Sequence, residues 1–140
     1  MSTLDSVQAT GITTPKSEPL EDLVRDFAMA GLGSIPGGGG EILVDRVRQK
    51  ISPLKAMSDD WLEVMAIAHS HNLATTATMM FGHVETVEER IEHLDRVRVQ
   101  QDATGGFTAF IAWTFQAENT KLNAPTVGSH EYLRMQALSR

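Results

Sequence analysis

"ATTATMMF", residues 74–81, is the stretch from which the rest of the chain is read. It is β-branched and apolar along its length and is bounded by polar residues, so it reads as a buried strand. "FTAFIAWTF", residues 107–115, is a second run of the same kind. Between them Thr86 and Glu89 form the T-x-x-E capping box that opens a helix. Val87, Ile91, Leu94 and Val97 give that helix one apolar stripe, and it should end before Gly105-Gly106. Strand, helix and strand in this order predict a βαβ unit with parallel strands. Strands that are apolar at nearly every residue agree, because parallel strands are covered on both faces.

Towards the N-terminus, Leu20, Leu23, Val24 and Phe27 fall at i, i+3, i+4 and i+7, the stripe of an amphipathic helix, with Gly31 closing it. A short strand is predicted over 32–36, stopped by Pro36 and the glycines. Val44, Val47 and Ile51 mark a second helix, expected to start at Gly40 or Glu41. Ser58 is a good N-cap for a third, on which Trp61, Val64, Met65 and Ala68 share a face. After the last strand comes a polar loop, then a helix capped by Ser129 and carrying Tyr132, Leu133 and Met135. Residues 1–18 are rich in Ser, Thr and Pro and lack periodicity, which reads as a loose lead-in to a single domain over 19–140.

The composition excludes several classes of function. With 12 basic and 18 acidic residues among 140, the net charge is −6, the wrong sign for a nucleic-acid surface. Arg46, Arg48 and Lys50 are interleaved with acids and read as a solvated helix face. There is no cysteine, which removes disulfides, a thiol nucleophile and any thiolate-held zinc or iron–sulfur cluster from this stretch. That fits a cytoplasmic protein. No apolar run approaches the ~18 residues that a membrane helix needs.

In parallel sheets ligands bind at the carboxyl ends of the strands. Three features fall there: "PGGGGE" after the first strand, "GHVE" after the second and "TFQAENT" after the third. Glycines 37–40 let the backbone pass close to a ligand, and Glu41 can accept hydrogen bonds from a ribose diol. Alternatively, the glycines only make a tight turn and Glu41 complements a helix dipole. Thr78 and Met80 point to one face of their strand, Gly82 permits a turn, and Glu85 can tie the loop to the next helix. His83 at the same end is a candidate proton donor or substrate contact. Methionines that fill core gaps and a glutamate that caps a helix account for the same residues. Trp113 and Gln116 suit a flat heteroaromatic substrate, or equally a buried core edge. His69, His71, His93 and His130 have no partners at metal-ligand spacing and read as surface or packing residues. No residue stands out as catalytic, and no metal site is expected.

Taken together, "SIPGGGGEILVDRVR", "WLEVMAIAH", "TTATMMFGHVET" and "GGFTAFIAWTFQAENT" resemble the radical S-adenosylmethionine enzymes of the futalosine route to menaquinone. The likeness is strongest to the cyclic dehypoxanthinyl futalosine synthases, with aminofutalosine synthase and deazaflavin-cofactor synthase as relatives. It runs from about Leu20 to Asn123. The resemblance implies a partial TIM-type (β/α) barrel, roughly its fourth to sixth βα units. It also implies S-adenosylmethionine as cofactor, a nucleoside substrate, and cyclisation of dehypoxanthine futalosine. Glu41 corresponds to an acid that contacts S-adenosylmethionine. Thr78, Met80, Gly82 and Glu85 fall on the G-x-I-x-G-x-x-E motif beside the adenine, with Thr78 for the first glycine and Met80 for the isoleucine. Ala112 and Ala117 stand where the family usually has prolines, which weakens the match around Trp113 and Gln116.

The same resemblance implies a [4Fe–4S] cluster held by a C-x-x-x-C-x-x-C loop that this chain lacks. The expectation is therefore a stretch that is inert alone and completed by a missing N-terminal barrel half or a partner chain. Three parallel strands cut from a closed barrel would leave open edges and an uncovered inner face.

Overall fold

The computed structural model describes residues 19–140. Its elements follow in the order α1 (Leu20–Met29), β1 (Ser34–Ile35), α2 (Asp45–Ile51), α3 (Ser58–Ser70), β2 (Ala74–Phe81), α4 (Val87–Thr104), β3 (Phe107–Thr114) and α5 (Ser129–Leu138). The three strands form one sheet in the order β1-β2-β3, and both pairings are parallel. This is an α/β sheet open at both sides, the architecture of a sector of a (β/α) barrel. Among the described residues, no helix is long and apolar enough to cross a membrane.

The pleat of β2 separates its side chains into two sets. Thr75, Ala77, Met79 and Phe81 are fully buried against the helices. Met79 and Phe81 pack with Ile42, Val47, Ala112 and Met135, while Ala77 packs with Leu43, Trp61, Met65 and Val97. The other set is in register with β3: Thr76 lies beside Ala109, Thr78 beside Ile111 and Met80 beside Trp113. Here the expectation of strands covered on both faces fails. Ala109, Ile111 and Trp113 are exposed, because no described element lies over that side of the sheet.

Several local expectations also shift. The helix predicted from Gly40 or Glu41 starts at Asp45, since Glu41 and Leu43 are held by bonds to distant residues. The Glu41 carbonyl accepts from Met80 N at 2.9 Å, and Leu43 N donates to His93 Nδ1 at 2.9 Å. Ser58 is the first residue of α3 and not its cap; its N–H donates to Asp45 Oδ1 at 2.9 Å. Ser129 likewise opens α5 after Gly128. The Thr86–Glu89 capping box forms as predicted, and Gly105 ends α4 in the left-handed conformation.

On α4 the buried face is Arg90, His93 and Val97, with Val87 and Ile91 left exposed. Arg90 reaches Glu85 and Glu131 and covers the ring of Phe81, so an ion-pair network displaces the apolar stripe from the core. On α1 only Val24 is buried; Leu20, Leu23 and Phe27 face outward.

Candidate functional site

The site is built on the glycine run. Gly37 and Gly40 lie so close to β2 that a Cβ would fall 2.0 Å from the Thr76 carbonyl oxygen at Gly37 and 2.6 Å from that of Thr78 at Gly40. Only glycine allows the segment to lie along the strand there. Its four carbonyls are then taken by side chains. Thr78 Oγ1 donates to Gly37 O at 2.7 Å, and Trp61 Nε1 donates to Gly38 O at 3.2 Å. Arg48 donates through Nη2 to Gly39 O and through Nη1 to Gly40 O, both at 2.9 Å, and through Nε to Ala56 O at 2.8 Å. The solvated face expected for Arg48 is thus wrong: its side chain is wholly buried, because a rigid guanidinium fork matches several carbonyls at once. Burial lowers its pKa, against the pull of Glu41 and Asp45. Arg46 keeps the solvated position expected of it, exposed at the surface while it pairs with Glu89 and the Val84 carbonyl.

The clamped loop delivers Glu41. Its φ of 31° is unusual for a residue with a side chain, and such positions cluster at functional sites. With the helix beginning four residues later, Glu41 does not sit in a first helical turn. The carboxylate is about nine-tenths buried. Oε1 accepts from Lys55 Nζ at 2.5 Å. Oε2 lies 4.0 Å from Arg48 Nη1 and has no hydrogen-bond donor among the described residues. Glu41 and Met80 line one cleft of about 420 Å³ together with Ile51, Ser52, Pro53, Leu54 and Lys55.

At the end of β2 a second rigid turn forms. Gly82 has φ +91°, and a Cβ there would meet Val127 Cγ2 at 2.2 Å. Glu85 gathers the turn. Oε1 accepts from Gly82 N at 2.6 Å and Arg90 Nε at 2.8 Å, and Oε2 from His83 N at 2.9 Å. Burial alone would raise its pKa. The His83 ring and the two backbone N–H groups outweigh that and push it down to about 2.

His83 is enclosed: Nε2 lies 2.9 Å from the Met80 carbonyl, and Nδ1 lies 2.8 Å from Val84 N and 2.9 Å from Glu85 Oε2. Trp113 is 47% exposed beside Met80 on the uncovered face. Gln116 is exposed and, among the described residues, bonds only back to Thr114. Glu41, Thr78 and Met80 therefore converge through the glycine run, and Gly82, His83 and Glu85 form one turn. Sequence reasoning missed Arg48, Ser52 and Lys55. An arginine eight residues after a run of glycine carbonyls is the signal that would have found the first.

No protein-family profile matches the chain. Individual relatives do. A cyclic dehypoxanthine futalosine synthase of Streptomyces coelicolor is 48% identical over 122 residues, which cover 86% of this chain and 31% of that protein. The chain belongs to the futalosine synthase family. An aminodeoxyfutalosine synthase of Thermus thermophilus is 44% identical over 114 residues, covering 81% of this chain and 30% of that one. A 5-amino-6-(D-ribitylamino)uracil–L-tyrosine 4-hydroxyphenyl transferase of Methanosarcina mazei is 40% identical, over 87% of this chain and 34% of its own length. The chain thus spans about a third of the length of these futalosine synthases and their transferase relative.

Proposed function

We propose that this chain forms the cofactor- and substrate-facing sector of a radical S-adenosylmethionine enzyme that cyclises dehypoxanthine futalosine. The observation that carries the reading is Glu41: a buried carboxylate with one oxygen lacking a donor among the described residues, held at the sheet's rim by a loop whose four carbonyls are all clamped. Such an oxygen fits a hydroxyl of the S-adenosylmethionine ribose, and the cleft beside Met80 gives that ribose room. When bound, S-adenosylmethionine would supply, after one-electron reduction by a donor outside this chain and loss of methionine, the 5′-deoxyadenosyl radical that takes a hydrogen atom from the substrate.

A [4Fe–4S] cluster does not fit the residues present. The 140 residues hold no cysteine, and no step here runs through it. The chain's own residues orient and enclose. Glu41 accepts from the ribose, while Thr78, Met80, Gly82 and Glu85 shape the adenine side. Trp113 and Gln116 offer an exposed flat ring and amide to a nucleoside substrate. His83, with both ring nitrogens engaged, acts on substrate through the turn it stabilises.

Equilibrium dialysis with S-adenosylmethionine tests the reading. Binding that Glu41→Gln weakens tenfold or more supports it; binding indifferent to that change removes its basis. The chain alone is expected to release no 5′-deoxyadenosine under reduction, and a cysteine-bearing N-terminal sector supplied in trans should restore release. The related aminodeoxyfutalosine synthase is a second reading, supported by an identity of 44%, close to the 48% of the cyclic dehypoxanthine futalosine synthase. Product analysis of the complemented enzyme separates the two.

A further inference from the structure

Among the described residues, the lining of the cleft beside Glu41 includes a second buried polar atom without a partner: Ser52 Oγ. Its position is fixed by the backbone. Ser52 N donates to Arg48 O at 2.8 Å, closing α2, and Ser52 O accepts from Lys55 N at 3.0 Å. One short turn therefore brings Lys55 onto the carboxylate and Ser52 into the lining of the same cleft. Two buried polar atoms without partners in the same cleft are unusual, since such groups are otherwise almost always bonded. They share that cleft with the apolar walls of Ile51, Pro53, Leu54 and Met80.

We infer that Ser52 is a further ligand-binding residue, which together with Glu41 Oε2 holds the two adjacent hydroxyls of a nucleoside ribose. This deepens the reading of Glu41 given above and rests on it. Three observations select the ligand class. Glu41 Oε2 can only accept, whereas the Ser52 hydroxyl can both accept and donate, so a pair of neighbouring hydroxyls satisfies both. The carboxylate is already balanced by Lys55 at 2.5 Å and faces Arg48 at 4.0 Å, so the site does not call for a cation. The sulfonium end of S-adenosylmethionine is thereby disfavoured here, and its neutral sugar is favoured. Finally, the cleft, at about 420 Å³, lies within the range of small-molecule sites.

Titrations of adenosine, inosine and 2′,3′-dideoxyadenosine against the parent chain, Ser52→Ala, Ser52→Thr and Glu41→Gln test the inference. The expected result is a loss of roughly 3- to 10-fold in adenosine affinity for Ser52→Ala. Ser52→Thr, which keeps the hydroxyl, should recover most of it, and the dideoxy compound should bind all four proteins equally weakly. An equal loss with inosine assigns the site to ribose whatever the base; a loss with adenosine alone assigns it to the cofactor's nucleoside. If Glu41→Gln weakens adenosine and Ser52→Ala does not, the role of Ser52 is overturned while that of Glu41 stands. If neither change matters, both fall.

Discussion

Replacing Arg48 with methionine should cost this chain much of its stability, and the size follows from the bonds it makes. The change strands the carbonyls of Gly39, Gly40 and Ala56, each of which accepts from the guanidinium at 2.8–2.9 Å. An unsatisfied buried acceptor costs about 1–3 kcal/mol. The Gly40 contact is fully buried and carries the whole penalty, whereas Gly39 and Ala56 are partly reachable by water. Glu41 also loses a positive charge at 4.0 Å. The sum is a loss of roughly 3–5 kcal/mol, the range seen when one partner of a buried charge is removed. Typical domains have only about 5–15 kcal/mol in total. Urea unfolding should be followed by circular dichroism and by Trp61 emission in a Trp113→Phe background, because Trp61 Nε1 bonds Gly38 in the affected loop. Arg48→Lys keeps the charge but not the fork, so it should recover less than half of the loss. A methionine variant within about 1 kcal/mol of the parent, with unchanged Trp61 emission, would refute the clamp.

Acid should destabilise the fold in two stages. Burial, followed by the charge of Arg48, holds His93 neutral with its pKa lowered to about 3. Only the unfolded chain gains that proton as pH falls below the ordinary value of about 6.5, so stability declines from there by up to about 1.4 kcal/mol per unit. The Glu85 contribution is complete above its unfolded value and fades as pH falls towards about 2, steepening the decline below pH ~4.5. Unfolding midpoints that stay flat from pH 7 to 5 would contradict the first stage, and a Glu85→Gln curve as steep as the parent's would contradict the second. Gly37→Ala should destabilise by roughly 2 kcal/mol or more, while Gly33→Ala, with nothing within 4 Å, should stay within about 0.5 kcal/mol in the same unfolding assay. Thr86→Ala removes the cap of α4 and should cost about 1 kcal/mol, read as an earlier thermal midpoint.

What could be read from the sequence was what neighbours in the chain decide. β2, β3 and the Thr86–Glu89 box depend on residues within a few positions of one another, and their bounds were legible almost to the residue. The start of α2 was not, because Met80 and His93, some forty and fifty positions away, hold Glu41 and Leu43 out of the helix. Arg48 misled for a related reason, and the apolar stripe predicted for α4 left out Arg90 for the same one. A charged residue reads as solvated until its acceptors are seen, and those acceptors are loop carbonyls and glutamates on other elements. Within the candidate site the glycine run and Glu41 could be picked out by composition. Ser52 and Lys55 could not, since an S-P-L-K turn carries no pattern until it folds back over the carboxylate.

The PGGGGE hexapeptide owes its shape to donors lying outside it, and this limits how it can be moved between proteins. Transplanted alone into a foreign scaffold, it would arrive without Arg48, Trp61 or Thr78 and would relax into an ordinary flexible connector. The smallest portable cassette runs from Ser34 through Trp61 and needs a recipient strand offering threonines at the positions of Thr76 and Thr78. Any chimera of this family that splices between the glycines and α3 separates a loop from its own scaffolding.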